Sequence, residues 1–249
     1  MTAMLVGVGV GPGDPELMTI GAVRQLRSAD RVVAPSTAVD AVGRAESIVR
    51  QAAPDVRVER IPFVMAPGAG ARAATAADAA ARIVAWLDAG ETVAFVTLGD
   101  PNVYSTFSTI AAAVRRLRPA VPVKTVPGIM AFQDLAARAG TVLLDDAESL
   151  TLVTAVDGPE AAAAALADPS RAVVVYKGGR HLPAIAKALA DSGRLDGAVL
   201  GELLGLPGER VTAVAAAGDQ PASYLATVIV PPGAVGGDST SIRRSREAP

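Results

Sequence analysis

The chain has 249 residues, a formal net charge of −2, one histidine and no cysteine. Disulfides, thiolate metal sites and cysteine nucleophiles are excluded, and there is no general excess of positive charge for binding nucleic acid. Hydrophobic residues make up 51% but aromatic ones only 3%, a composition that suits alanine- and valine-rich helices packed on buried strands rather than a base-stacking surface.

The first half alternates strand-like and helix-like signals. Met4–Val10 is an apolar run that ends in glycines, as a buried strand does, and is too short to span a bilayer. A soluble cytoplasmic protein is therefore expected. Thr19 is placed to cap a helix whose apolar residues Ile20, Val23 and Leu26 recur at helical spacing. Arg31–Ala34 reads as a second strand stopped by Pro35, and Val56–Phe63 as a third. An alanine-rich helix is predicted over Arg72–Leu87, followed by the clearest buried strand, Thr92–Leu98, which runs directly into Gly-Asp-Pro. A helix over Thr106–Leu117, a short strand over Val123–Val126 and a helix to about Ala139 complete this half.

The pattern restarts at Ser149. Apolar runs at SLTLVTAV, AVVVYKG and AVLGELLG alternate with helices at about 159–167 and 181–192, and RVTAV and SYLATVIV follow as two more strands. The acidic stretch Leu143–Glu148 marks the predicted boundary. The expected fold is two α/β domains with mostly parallel sheets, over residues 1–143 and 149–230, because strand–helix alternation supplies crossovers. The Gly-, Pro-, Ser- and Arg-rich tail at 231–249 is expected to be disordered.

Four loops follow predicted strands, where open α/β sheets bind ligands. They are Gly9–Asp14, Gly99-Asp100-Pro101, Pro127–Ala131 and Tyr176–Gly179. Glycine lets backbone approach a ligand, but it also simply turns a chain; four such loops in alternation favour a shared site. Gly9-Val10-Gly11 resembles the start of a dinucleotide loop, yet Pro12-Gly13-Asp14-Pro15 intervenes before the helix, and no acid ends the second strand. No phosphate-binding GxxxxGK[ST], GxSxG elbow or HExxH zinc motif is present. No metal site is expected.

Gly11-Pro12-Gly13 with Leu17–Ala22, then Leu98–Pro101, then Pro127–Ala131 resemble in order and spacing the signature loops of the tetrapyrrole (uroporphyrin-III C-methyltransferase-like) methyltransferase family. Within it, Gly99–Phe107 looks most like the branch that methylates C20 of precorrin-2 in cobalamin synthesis. The resemblance implies S-adenosyl-L-methionine as cofactor, held in a cleft between the two domains, a tetrapyrrole substrate and a homodimer. It implies cofactor contacts at Pro12, Gly99, Asp100, Val103, Met130, Ala131 and Lys177, the last through backbone. Related readings are a methyltransferase for a later precorrin, a diphthine synthase-like enzyme, and a non-catalytic adenosyl- or tetrapyrrole-binding regulator.

The chemistry suits the composition. A sulfonium methyl is already activated and an electron-rich tetrapyrrole supplies the attacking carbon, so neither a metal nor a covalent nucleophile is required. Asp100 either binds the cofactor or caps the turn after it, and Asp14 reads as a cap. Tyr104 is the candidate catalytic or substrate-stacking residue, with a wall role as the alternative. Ser105 and Thr106 are both suited to cap the next helix, and His181 reads as a solvated residue at a helix start. A substrate bearing many carboxylates calls for arginines: Arg180 is near a loop, whereas Arg115, Arg116 and Arg118 are expected to face solvent.

Overall fold

The computed structural model describes residues 3–36, 42–63, 69–217 and 219–233, with side chains omitted for 69–74. The expected disordered tail lies outside the described residues beyond 233. The chain divides into two compact units, residues 1–130 and 131–249.

In the first unit, β1 (Leu5–Gly9), β2 (Arg31–Ser36), β3 (Val58–Pro62), β4 (Val93–Thr97) and β5 (Val123–Val126) form one sheet in the order β3-β2-β4-β1-β5. Every neighbouring pair is parallel. Strands β1 and β4 are buried along their whole length, which is why their sequences read as continuous apolar runs rather than alternating ones. Helices α1 (Ile20–Ser28) and α2 (Arg44–Ala52) cover one face through Ala22, Leu26, Ile48 and Val49. Helices α3 (Ala69–Asp88) and α4 (Thr106–Leu117) cover the other through Ile83, Leu87, Phe107 and Ile110. Each buried leucine, isoleucine, valine or phenylalanine among these contributes roughly 1.5–3 kcal/mol.

Two departures from the expected elements have physical causes. Strand β2 runs through Pro35 because its ladder with β4 ends at Val33, so the missing N–H forfeits no bond there. Helix α2 was not anticipated. Its apolar positions Ala45, Ile48, Val49 and Ala52 have helical spacing, but it starts at Gly43 without a side-chain cap. It also carries the fully buried Glu46. Burial pushes that carboxyl up, but ion pairs to Arg60 at 2.7 Å and Arg50 at 2.6 Å outweigh it and hold Glu46 below its ordinary value.

The second unit begins with α5 (Ala131–Arg138), which packs against β10 (Thr227–Val230) through Leu135 and Ile229. The sequence had grouped this helix with the first half. Strands β6 (Ser149–Thr154), β7 (Arg171–Tyr176), β8 (Val199–Glu202) and β9 (Arg210–Ala213) join β10 in the order β6-β7-β10-β8-β9. Here the expectation of a mostly parallel sheet needs correction. Only β6 and β7 pair in parallel; the other three neighbouring pairs are antiparallel. Helices α6 (Glu160–Leu166) and α7 (Leu182–Asp191) carry β6, β7 and β8 in one direction, but among the described residues no α-helix separates β8, β9 and β10, and without crossovers these strands reverse. Arg194, 5% exposed, fastens the base of this unit by donating to the carbonyls of Asp168 (3.2 Å), Arg171 (2.6 Å) and Pro231 (2.9 Å).

Candidate functional site

Parallel pairing of β4, β1 and β5 brings three strand ends to the same edge of the first sheet. The Val10 N–H donates to the Thr97 carbonyl at 3.0 Å, and the Gly99 N–H to the Gly11 carbonyl at 2.8 Å. The loop after β1 is thereby stitched to the loop after β4. A Cβ placed on Gly9 would stand 2.4 Å from the Gly99 oxygen and 2.7 Å from the Gly128 Cα, and one on Gly128 would stand 2.2 Å from the Gly99 oxygen. These two glycines allow three backbones to touch. Gly99 is different: its φ is +63°, and an added Cβ would meet nothing nearer than the Met130 Cα at 3.9 Å. Its open side is a cradle with room for a ligand against the backbone.

Asp100 fixes this junction. One carboxylate oxygen accepts from the Asn102 N–H at 2.8 Å, capping the turn, and the other accepts from the Gly128 N–H at 3.1 Å, tying the β4 loop to the β5 loop. The side chain of Asn102 in turn donates to Thr125 Oγ1 at 3.2 Å. Thr97 and Ser105 share a hydroxyl–hydroxyl bond of 3.0 Å, and Ser105 caps α4 through the Phe107 N–H. Sequence reasoning did not find Asn102, Thr97 or Thr125; a polar residue on each of the neighbouring strands was the available signal. Thr19 and Asp14 are caps as expected, accepting from the N–H groups of Ala22 and Glu16.

Of the expected contact residues, Pro12 follows the Gly11–Gly99 bridge, Val103 bonds back to the Asp100 carbonyl at 3.4 Å, and Met130 lies beside Gly99. Together with Gly99 and Asp100 they form one loop cluster. Tyr104 follows at φ +47°, a strained conformation for an aromatic residue, and is 47% exposed.

Ala131 and Lys177 belong to the second unit. There the Phe132 N–H donates to the Tyr176 hydroxyl at 3.4 Å, a contact made by the residue after Ala131 and the residue before Lys177. Lys177 is half-buried at φ +57°, and burial lowers the pKa of its ammonium. Gly178 and Gly179 are packed shut: a Cβ on Gly179 would lie 1.9 Å from the Ser223 carbonyl oxygen. His181 closes the short turn before α7, and Arg180 is exposed.

A doubly wound parallel sheet with glycine loops gathered at its strand ends, joined to a mixed α/β unit, defines a class that the comparisons resolve. Residues 4–217 match the model of the Tetrapyrrole (Corrin/Porphyrin) Methylases, and the chain belongs to that family. It is an S-adenosyl-L-methionine-dependent methyltransferase. Over 91% of this chain and 94% of the relative it is 34% identical to the precorrin-2 C(20)-methyltransferase of Sinorhizobium sp. Over 92% of this chain and 97% of the relative it is 30% identical to the cobalt-precorrin-2 C(20)-methyltransferase of Salmonella typhimurium. Among solved structures, the fold is shared with the uroporphyrin-III C-methyltransferase of Thermus thermophilus complexed with S-adenosyl homocysteine. That likeness has a TM-score of 0.63 and 23% identity, over 92% of this chain and 97% of that one.

Proposed function

We propose that this chain methylates C20 of precorrin-2, or of its cobalt form, in cobalamin synthesis. The observation that carries this reading is the similarity, at 34% and 30% identity over more than nine-tenths of the chain, to two enzymes named for that step. The residues present fit the cofactor. The open side of Gly99 leaves its backbone bare beside Met130, and the ties from Asp100 hold the loop rigid before anything binds.

When bound, S-adenosyl-L-methionine supplies a methyl group already activated by its sulfonium. The chain's own work is positioning and exclusion of water. The backbone at Gly99, Asp100 and Val103 receives the cofactor, with Pro12 and Met130 as walls. The carboxylate of Asp100 acts through the loops it fastens, since its two oxygens already accept two backbone N–H groups. The same reading assigns cofactor contacts to Ala131 and to the backbone of Lys177. Tyr104 presents its ring directly after the cofactor loop, in a backbone conformation that costs on the order of 1–3 kcal/mol, and serves to orient the macrocycle. The reading includes a cytoplasmic homodimer; light scattering at micromolar concentration is expected to give twice the chain mass, and a monomer would remove that part.

Mass spectrometry of the product from precorrin-2, with and without cobalt, tests the reaction. One added methyl, placed at C20 by NMR, is expected. Methylation only of a later precorrin, or none, would overturn the assignment.

A further inference from the structure

A second feature of the first unit lies outside the glycine junction. Between α4 and the edge strand β5 there is a cavity of about 350 Å³. Ser108 and Arg115 reach it from one face of α4, seven residues or two turns apart. Lys124 and Thr125 line it from β5, and Asn102 from the loop that carries Asp100. Phe107 contributes an apolar wall. Among the described residues no acidic one lines the cavity, and neither Arg115 nor Lys124 has an acidic partner. Several arginines elsewhere on the surface are paired: Arg27 with Asp55, Arg31 with Glu59 and Glu91, Arg118 with Asp88. Ser108 donates its O–H to the Ser105 carbonyl at 2.8 Å, but the Thr125 hydroxyl and the second amide proton of Asn102 remain as donors. Two exposed cations lining one groove without a counter-charge, beside these donors, make a seat for an anionic oxygen group.

We propose that this groove binds a peripheral carboxylate arm of the tetrapyrrole, with Arg115 and Lys124 as its charged contacts, and so sets the orientation of the substrate. The inference rests on the methyltransferase reading above. Its link to that reading is Asn102, which lines the groove, is bonded through its N–H to Asp100, and is tied by its side chain to Thr125. One short segment therefore serves both the cofactor loop and the carboxylate seat. Arg115 is exposed, as the sequence suggests, and its side chain also lines the groove.

The test is steady-state kinetics with precorrin-2 on the wild type, the double variant Arg115→Gln/Lys124→Gln, and Arg116→Gln, which removes an exposed cation of the same helix that does not line the groove. The double variant is expected to raise KM for precorrin-2 at least tenfold with kcat within about twofold, and to bind S-adenosyl homocysteine as the wild type does. The wild-type KM should rise with sodium chloride more steeply than that of the double variant, and Arg116→Gln should match the wild type. An active wild type whose KM is unchanged in the folded double variant overturns the carboxylate seat and leaves the reaction standing. A wild type that turns over no precorrin-2 overturns both. Stabilisation by inorganic phosphate that the double variant loses, with KM unchanged, assigns the groove to a free anion and also overturns the proposal. So does a double variant that changes only the mass in light scattering, which would mean that a second copy covers β5.

Discussion

The loop after β4 and the loop after β7 look alike in sequence, each an apolar strand running into glycine, yet the structure uses them in opposite ways. After β4, Gly99 takes φ +63° and keeps its outer side open, while Gly9 and Gly128 close the space behind it. After β7, Gly178 and Gly179 are themselves the closure, pressed against Ile185 and against the carbonyls of Ala222 and Ser223. The left-handed position in that second loop falls to Lys177. A glycine after a strand therefore has two separable uses, close packing and exposure of backbone. Only the surroundings of the missing Cβ distinguish them.

Substitutions at the closing glycines should have the largest effect. In Gly9→Ala the new methyl meets backbone atoms on two sides, which cannot yield as a side chain can. A loss of about 3 kcal/mol is expected by urea denaturation, together with loss of S-adenosyl homocysteine binding. Gly179→Ala should cost about 2–3 kcal/mol as overpacking. Its signature is local: hydrogen exchange should quicken at Ala222, whose N–H donates to the Gly179 carbonyl, and leave β1 and β4 protected. Equal loosening of both sheets would mean that the two closures are not independent.

A smaller effect is expected for Asp100→Asn. The carboxylate accepts two backbone N–H groups through its two oxygens, and an amide offers only one acceptor atom to them. The loss of one half-buried acceptor should cost about 1 kcal/mol and weaken cofactor binding without abolishing it. If affinity fell as far as in a variant of Gly99 while stability did not change, Asp100 would be a direct ligand contact rather than a tie between loops.

Much of this was legible beforehand because the first sheet is buried on both faces. Continuous apolar runs mark β1 and β4, and the glycines that end them mark the edge where the three loops gather. Thr106–Leu117 and Val123–Val126 fall where periodicity and Pro119 place them. The caps at Asp14, Thr19 and Ser105 followed from local chemistry. What the sequence hid was non-local. Glu46 interrupts the apolar face of α2, and its counter-charge comes partly from β3, fourteen residues on. The antiparallel half of the second sheet depends on crossovers that are missing, and strand-like runs look the same in either direction. The bond from Asp100 to Gly128 spans 28 residues and leaves no periodic trace.

The central claim is that Gly99 offers its backbone to the cofactor, and calorimetric titration of S-adenosyl homocysteine into Gly99→Ala tests it most directly. Gly140→Ala is the matched control, since Gly140 has φ +59°, nothing within 4 Å of an added Cβ, and a place at the end of α5 in the other unit. Both substitutions should cost about 1 kcal/mol from left-handed strain. The account predicts that Gly99→Ala binds at least tenfold more weakly, roughly 1.4 kcal/mol, while Gly140→Ala binds as the wild type does. Wild-type affinity in a folded Gly99→Ala protein would contradict it.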